Sequence, residues 1–130
     1  MIVLDASAVV DWLLQTTAGR QIEGRIYSRS ESLHVPHFLD LEVAQVLRRL
    51  ARESQISSER AGEAMEDLLD LRVTRYPHSI LLPRIWQLRH NLSAYDAAYV
   101  VLSEKLGATL ISRDKRLASA SGHTAQIELF

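Results

Sequence analysis

Residues Ala94–Leu106 read as a helix with almost no polar face, and this segment constrains the fold more than any other. Ser93 and Asp96 stand at capping-box spacing, with Asp in place of the usual Glu, and Gly107 follows where a left-handed cap is favoured. Between them Ala97, Ala98, Tyr99, Val100, Val101 and Leu102 are apolar around most of the circumference, so the helix must lie buried between other elements. Asp96, the only acid in its first half, is carried into those surroundings, where an unpaired carboxylate is costly.

The N-terminal segment points the same way. Ile2-Val3-Leu4 is a continuous apolar triplet of the kind found in a strand covered on both faces, ending in Asp5 and followed by helix-compatible Ala6–Leu14. A helix is expected from about Ala18 to Ser30, then a short strand Leu33-His34-Val35, with Pro36 starting the next turn. Leu39, Val43, Val46, Leu47 and Leu50 recur at helical spacing within Phe38–Arg52. Ser57 or Ser58 can cap another helix, about Glu59–Leu71, making a helical hairpin. Val73–Tyr76 alternates as a third strand, and Leu81–His90 is amphipathic, with Pro83 tolerated in its first turn and Asn91 as its stop. Thr109-Leu110-Ile111 is a further strand running into Ser112-Arg113-Asp114, followed by a short helical stretch near Leu117 and a last strand, Ile127–Leu129. This alternation predicts one α/β domain over residues 1–130, a sandwich with a mainly parallel sheet. Sites in such folds form at the carboxyl ends of strands, so Asp5 and Asp114 should project from one edge.

Fifteen Lys and Arg against sixteen Asp and Glu leave a net charge of −1, so any attraction for phosphates must come from local clusters. There is no cysteine, which removes disulfides, thiolate nucleophiles and Cys-based zinc sites and suits a reducing cytosol. Asp5 interrupts the opening apolar run too early for a signal-peptide core or membrane span, so a soluble, cytoplasmic protein without a membrane partner is expected. Converging acids repel unless a cation neutralises them, which implies a bound divalent metal, with Mg²⁺ the natural candidate for oxygen ligands. Each acid also has a purely structural reading. Asp5 can cap the first helix, Asp96 can serve its capping box, and Asp114 can be a turn residue. Asp40 and Glu42 lie at opposite borders of their helix's apolar stripe, and periodicity does not choose between them.

The five histidines are scattered without zinc-motif spacing, and Trp12, Trp86, Tyr95 and Tyr99 lie inside helical patterns, as core residues or, for the tryptophans, interface anchors. Arg48, Arg49 and Arg52 read as a solvated face. Arg113, Lys115 and Arg116 surround Asp114 and are the candidate phosphate-binding group.

The opening Ile2-Val3-Leu4-Asp5-Ala6-Ser7-Ala8, the Glu42 helix after Pro36, the segment Leu92-Ser93-Ala94-Tyr95-Asp96-Ala97-Ala98-Tyr99 and the run Leu110-Ile111-Ser112-Arg113-Asp114 follow one another in an order that resembles PIN-domain proteins, most of all VapC-type toxins. The resemblance covers essentially the whole chain, and the Leu92–Tyr99 segment is its most specific part. It implies a three-layer α/β/α sandwich and an RNA-cleaving nuclease using Mg²⁺ or Mn²⁺. The family's acidic, metal-holding positions fall on Asp5, Glu42, Asp96 and Asp114, which selects Glu42 over Asp40. Ser7 and Ser112 fall on positions whose hydroxyls support the acids. The resemblance further implies a cognate antitoxin whose peptide covers the acidic cleft, and a homodimer. Gln45 and Ser112 replace an Asn and a Thr common in relatives, and Arg116 stands where another acid sometimes lies. Two rivals remain. A haloacid-dehalogenase-type phosphatase needs a second acid where this chain has Ser7, and a catalytically silent module would use the same fold to bind RNA or protein.

Overall fold

The computed structural model describes residues 1–130. The apolar triplet Ile2–Leu4 forms β1, fully buried, and Asp5 caps α1 (Ala6–Leu13) through its side chain. Thr16 caps α2 (Thr17–Ser28), and β2 follows at Leu33–Pro36. The hairpin consists of α3 (Leu39–Arg52) and α4 (Ser58–Asp70), the latter capped by Ser57. After β3 (Val73–Tyr76), a 3₁₀ turn at His78–Leu81 leads into α5 (Leu82–Gln87). Then come α6 (Ala94–Leu106), β4 (Thr109–Ser112), α7 (Lys115–Ser119) and β5 (Ile127–Leu129).

All five strands are parallel, in the order β3-β2-β1-β4-β5. The chain moves outward from β1 through β2 to β3, then returns to the other side of β1 for β4 and β5. The order therefore reverses between β1 and β4, where the crevice of an open α/β sheet forms. Helices α1 to α4 pack among themselves, while α6 lies across β1, β2 and β4 with α5 against it. This arrangement explains why α6 is apolar nearly all round: Ala97 through Ser103 are buried. Gly107 closes the helix at φ 60°, the conformation glycine tolerates best. No helix is long and apolar enough to cross a membrane.

Three local expectations need correction. Pro36 does not open a turn; it ends β2, paired with Tyr76 of β3. Pairing with β1 has already stopped at His34, so the missing N–H removes no rung there, and the next N–H, of His37, donates to the Tyr76 carbonyl at 2.8 Å. The segment Leu81–His90 is not one helix. Its start tightens to 3₁₀ geometry and its end loosens into turns, where the Asn91 amide donates to the Ser121 carbonyl at 2.8 Å. Neither Trp86 nor Tyr95 is a core residue: Trp86 is 68% exposed, with the Arg89 guanidinium 4.7 Å above its ring, and Tyr95 is 60% exposed at the start of α6. Trp12 and Tyr99 are buried as expected.

Candidate active site

Asp5 leaves the end of β1 at the switch point and is almost completely buried. Oδ1 accepts the Ser7 hydroxyl at 2.6 Å and the Ala8 N–H at 2.9 Å, and Oδ2 accepts the hydroxyl of Ser112, the last residue of β4. Capping and site readings are thus not alternatives, because one oxygen caps α1 while the carboxylate as a whole is held at the crevice. Both serines reach further. Ser7 Oγ accepts the Arg113 N–H at 3.0 Å and Ser112 Oγ accepts the Asp114 N–H at 2.9 Å, so two hydroxyls tie Asp5 to the loop that carries Asp114. Asp114 Oδ1 in turn accepts the Arg116 N–H at 2.9 Å and caps α7.

Asp96 sits in the first turn of α6, its N–H bonded to Ser93 Oγ at 3.2 Å. Glu42 comes from the first turn of α3, where its Oε1 accepts the Tyr99 hydroxyl at 2.5 Å. Asp40, its rival by periodicity, is engaged elsewhere: Arg75 of β3 donates to both its oxygens at 2.8 and 3.0 Å.

Burial raises the Asp5 carboxyl above its usual range, and the charge of Asp96 adds to this. Burial likewise raises Glu42, with Asp96 and Asp5 adding charge repulsion. Asp96 is raised by burial and then by Asp114. The four acids form one electrostatically connected set assembled from four separate segments. Among them only Asp114 has a cationic partner, Arg116 at 3.6 Å, and that guanidinium is 91% exposed.

No three of the chain's acidic or imidazole groups converge tightly enough to make a closed ligand set. An all-oxygen, partly solvated donor set of this kind fits a small hard cation that keeps several of its own waters, as Mg²⁺ does.

Of the three basic candidates, Arg113 is diverted. Its guanidinium pairs with Asp11 at 2.7 Å and donates to the Phe130 carbonyl at 2.6 Å, which anchors the loop to α1 and the end of β5. Lys115 and Arg116 remain exposed beside Asp114. Tyr99 is in the core, as its helical pattern predicts, but it also has a polar role that the pattern does not reveal. The available signal was its spacing three residues after Asp96, which puts both on one face of a helix.

Acid titration without metal should expose the repulsion. Carboxyls held above their unfolded pKa values contribute stability that is present below those values and lost as pH rises through the raised folded ones. Removing one charge relieves this, so the melting temperature of Asp96→Asn relative to the parent, measured in EDTA, should climb as pH rises from about 4 through the raised folded values. A gap independent of pH would contradict a repelling cluster.

Fold and acidic crevice together define the PIN class, and the PIN domain family matches residues 2–122. A VapC ribonuclease of Mycobacterium bovis is 45% identical over 118 residues, covering 91% of this chain and 89% of that protein. Ribonuclease VapC12 of Mycobacterium tuberculosis is 41% identical over 129 residues, covering 99% and 98%. Among solved structures, a Pyrobaculum aerophilum protein superposes with a TM-score of 0.71 at 23% identity, covering 97% of this chain and 81% of that one. VapBC2 of Rickettsia felis, solved with a promoter DNA fragment, superposes with a TM-score of 0.70 at 13% identity, covering 100% and 99%. The chain belongs to the PIN-domain family, among the VapC ribonucleases.

Proposed function

We propose that this chain is a Mg²⁺-dependent endoribonuclease and the toxin component of a type II toxin-antitoxin pair. The observation that carries the reading is that four carboxylates from separate segments, Asp5, Glu42, Asp96 and Asp114, feel one another's charge, with Asp5, Glu42 and Asp96 raised first by burial and then by repulsion. The relatives named as VapC ribonucleases support it. These four residues hold the cation, with Mn²⁺ as the alternative to Mg²⁺. When bound, such a cation lowers the pKa of a water and stabilises charge developing on a phosphodiester.

The protein's own contribution is positional. Ser7 and Ser112 fix both oxygens of Asp5, so that little reorganisation is left when a cation and substrate arrive. Asp96 and Asp114 present their carboxylates from helix N-termini, where the backbone dipoles favour negative charge. Lys115 and Arg116 meet the phosphates of single-stranded RNA. Arg113 orients the loop instead, because its guanidinium is already paired.

The proposed protein partner is a cognate antitoxin, a reading supported by the VapBC2 toxin-antitoxin neighbour, and the family resemblance implies that its peptide covers the acidic crevice. A homodimer is the proposed assembly, with exposed apolar residues of the hairpin such as Leu41 and Leu69 available for its interface.

Purified protein incubated with single-stranded RNA should cut it internally in Mg²⁺ and stop on addition of EDTA, with excess Mg²⁺ restoring the activity. RNA that is bound but left intact under all metal conditions would instead identify the catalytically silent module.

A further inference from the structure

We infer that Tyr99 is a positioning residue for the cation site, acting through Glu42; this rests on the metal-dependent reading above. Glu42 is the one acid of the four that helical periodicity could not separate from a neighbour on its own helix, Asp40. Two residues earlier on α3, Asp40 is neutralised by both donors of Arg75. Glu42 has no cation and instead receives a single neutral donor, the Tyr99 hydroxyl, at 2.5 Å. That bond occupies Oε1 and leaves Oε2 as the free oxygen of the carboxylate.

The donor is itself rigidly placed. Tyr99 is 2% exposed, and Phe38, the residue preceding α3, packs edge-on against its ring at a centroid distance of 5.5 Å. Tyr99 and Asp96 lie on the same face of α6, so one helix supplies both an acid and the hydroxyl that orients a second acid from α3. A glutamate has three side-chain torsions to fix, and the Tyr99 hydroxyl is the side-chain donor that holds its carboxylate in one place. The hydroxyl therefore confers on Glu42 what Ser7 and Ser112 confer on Asp5: a carboxylate presented in one orientation before the cation arrives. The same bond gives a physical basis for Glu42 rather than Asp40 serving the site.

The test is Mn²⁺ binding by calorimetry to the parent, Tyr99→Phe, Glu42→Gln and the double variant, alongside RNA cleavage as a function of Mn²⁺ concentration. Tyr99→Phe should weaken Mn²⁺ about 10-fold or more, as loss of a ligand-orienting partner commonly does. Cleavage should recover toward the parent's rate at saturating Mn²⁺, and adding Tyr99→Phe to Glu42→Gln should cost no further affinity. Tyr99→Phe binding Mn²⁺ as tightly as the parent would overturn the assignment. So would a rate deficit that no Mn²⁺ concentration repairs, since that is the mark of a general packing defect. Failure of the parent to bind Mn²⁺ at all would overturn the metal-dependent reading together with this one.

Discussion

Asp96→Asn is expected to lower RNA cleavage by at least about 100-fold while raising the melting temperature of the metal-free protein. The first effect follows because even groups that only support a metal ligand are worth about 10- to 100-fold, and Asp96 is proposed as a ligand itself. The second follows because its carboxylate is raised by burial and by Asp114, so its charge opposes folding when no cation is present. Mg²⁺ should then stabilise the parent more than the variant, by the usual linkage of binding to folding. A stabilised, inactive variant is the expected signature of a charge kept for function at a cost in stability. An inactive variant that is also destabilised in EDTA would point to a structural role, as would one whose cleavage is unchanged.

Gly19→Ala is expected to produce the largest loss of stability. Gly19 lies at the start of α2, where it packs onto the end of α1. A Cβ at this position would stand 1.8 Å from the Asp11 carbonyl oxygen and 2.4 Å from the Asp11 carbonyl carbon. Both are backbone atoms, so relief requires moving one helix against the other. The expected cost is about 3 kcal/mol or more, the upper end for forced overpacking, or roughly 10 °C in melting temperature for a domain of this size. The consequences reach the site. Asp11 also holds the Arg113 guanidinium at 2.7 Å, and that pair anchors the loop bearing Asp114. A variant melting within a degree or two of the parent would contradict this packing.

The segments read most securely from sequence are those whose pattern leaves one solution. Ile2–Leu4 and the middle of α6, Ala97 to Leu102, are apolar on every side and had to be interior, and both are. Asp5 and Asp114 lie at strand ends, and parallel pairing of β1 with β4 brings them to one edge. Less legible were features decided by distant partners. Asp40 and Glu42 could not be separated by helical position, because what separates them is Arg75 on one side and Tyr99 on the other. Arg113 looked like a phosphate ligand by its place beside Asp114, but Asp11 and the Phe130 carbonyl claim it. Tyr95 occupies a helical pattern dense in apolar residues and yet is exposed in the first turn of α6, with the edge-on ring of Phe38 against it at 5.4 Å between centroids. Each of these outcomes depends on contacts across elements, which periodicity within one element does not encode.

The four acids proposed for the site are held in different ways: Asp5 by two serine hydroxyls, Glu42 by Tyr99, and Asp96 and Asp114 at helix N-termini. What unites them is the claim that the four carboxylates share a cation. Anomalous diffraction from crystals of the parent and of Asp96→Asn soaked in Mn²⁺ addresses that claim directly. A manganese peak is expected in the crevice within coordinating distance of Asp5 or Asp96 in the parent, with its loss or marked weakening in the variant. A crevice without manganese in crystals of a protein that still cleaves RNA in Mn²⁺, or a peak equally strong in both proteins, would contradict it.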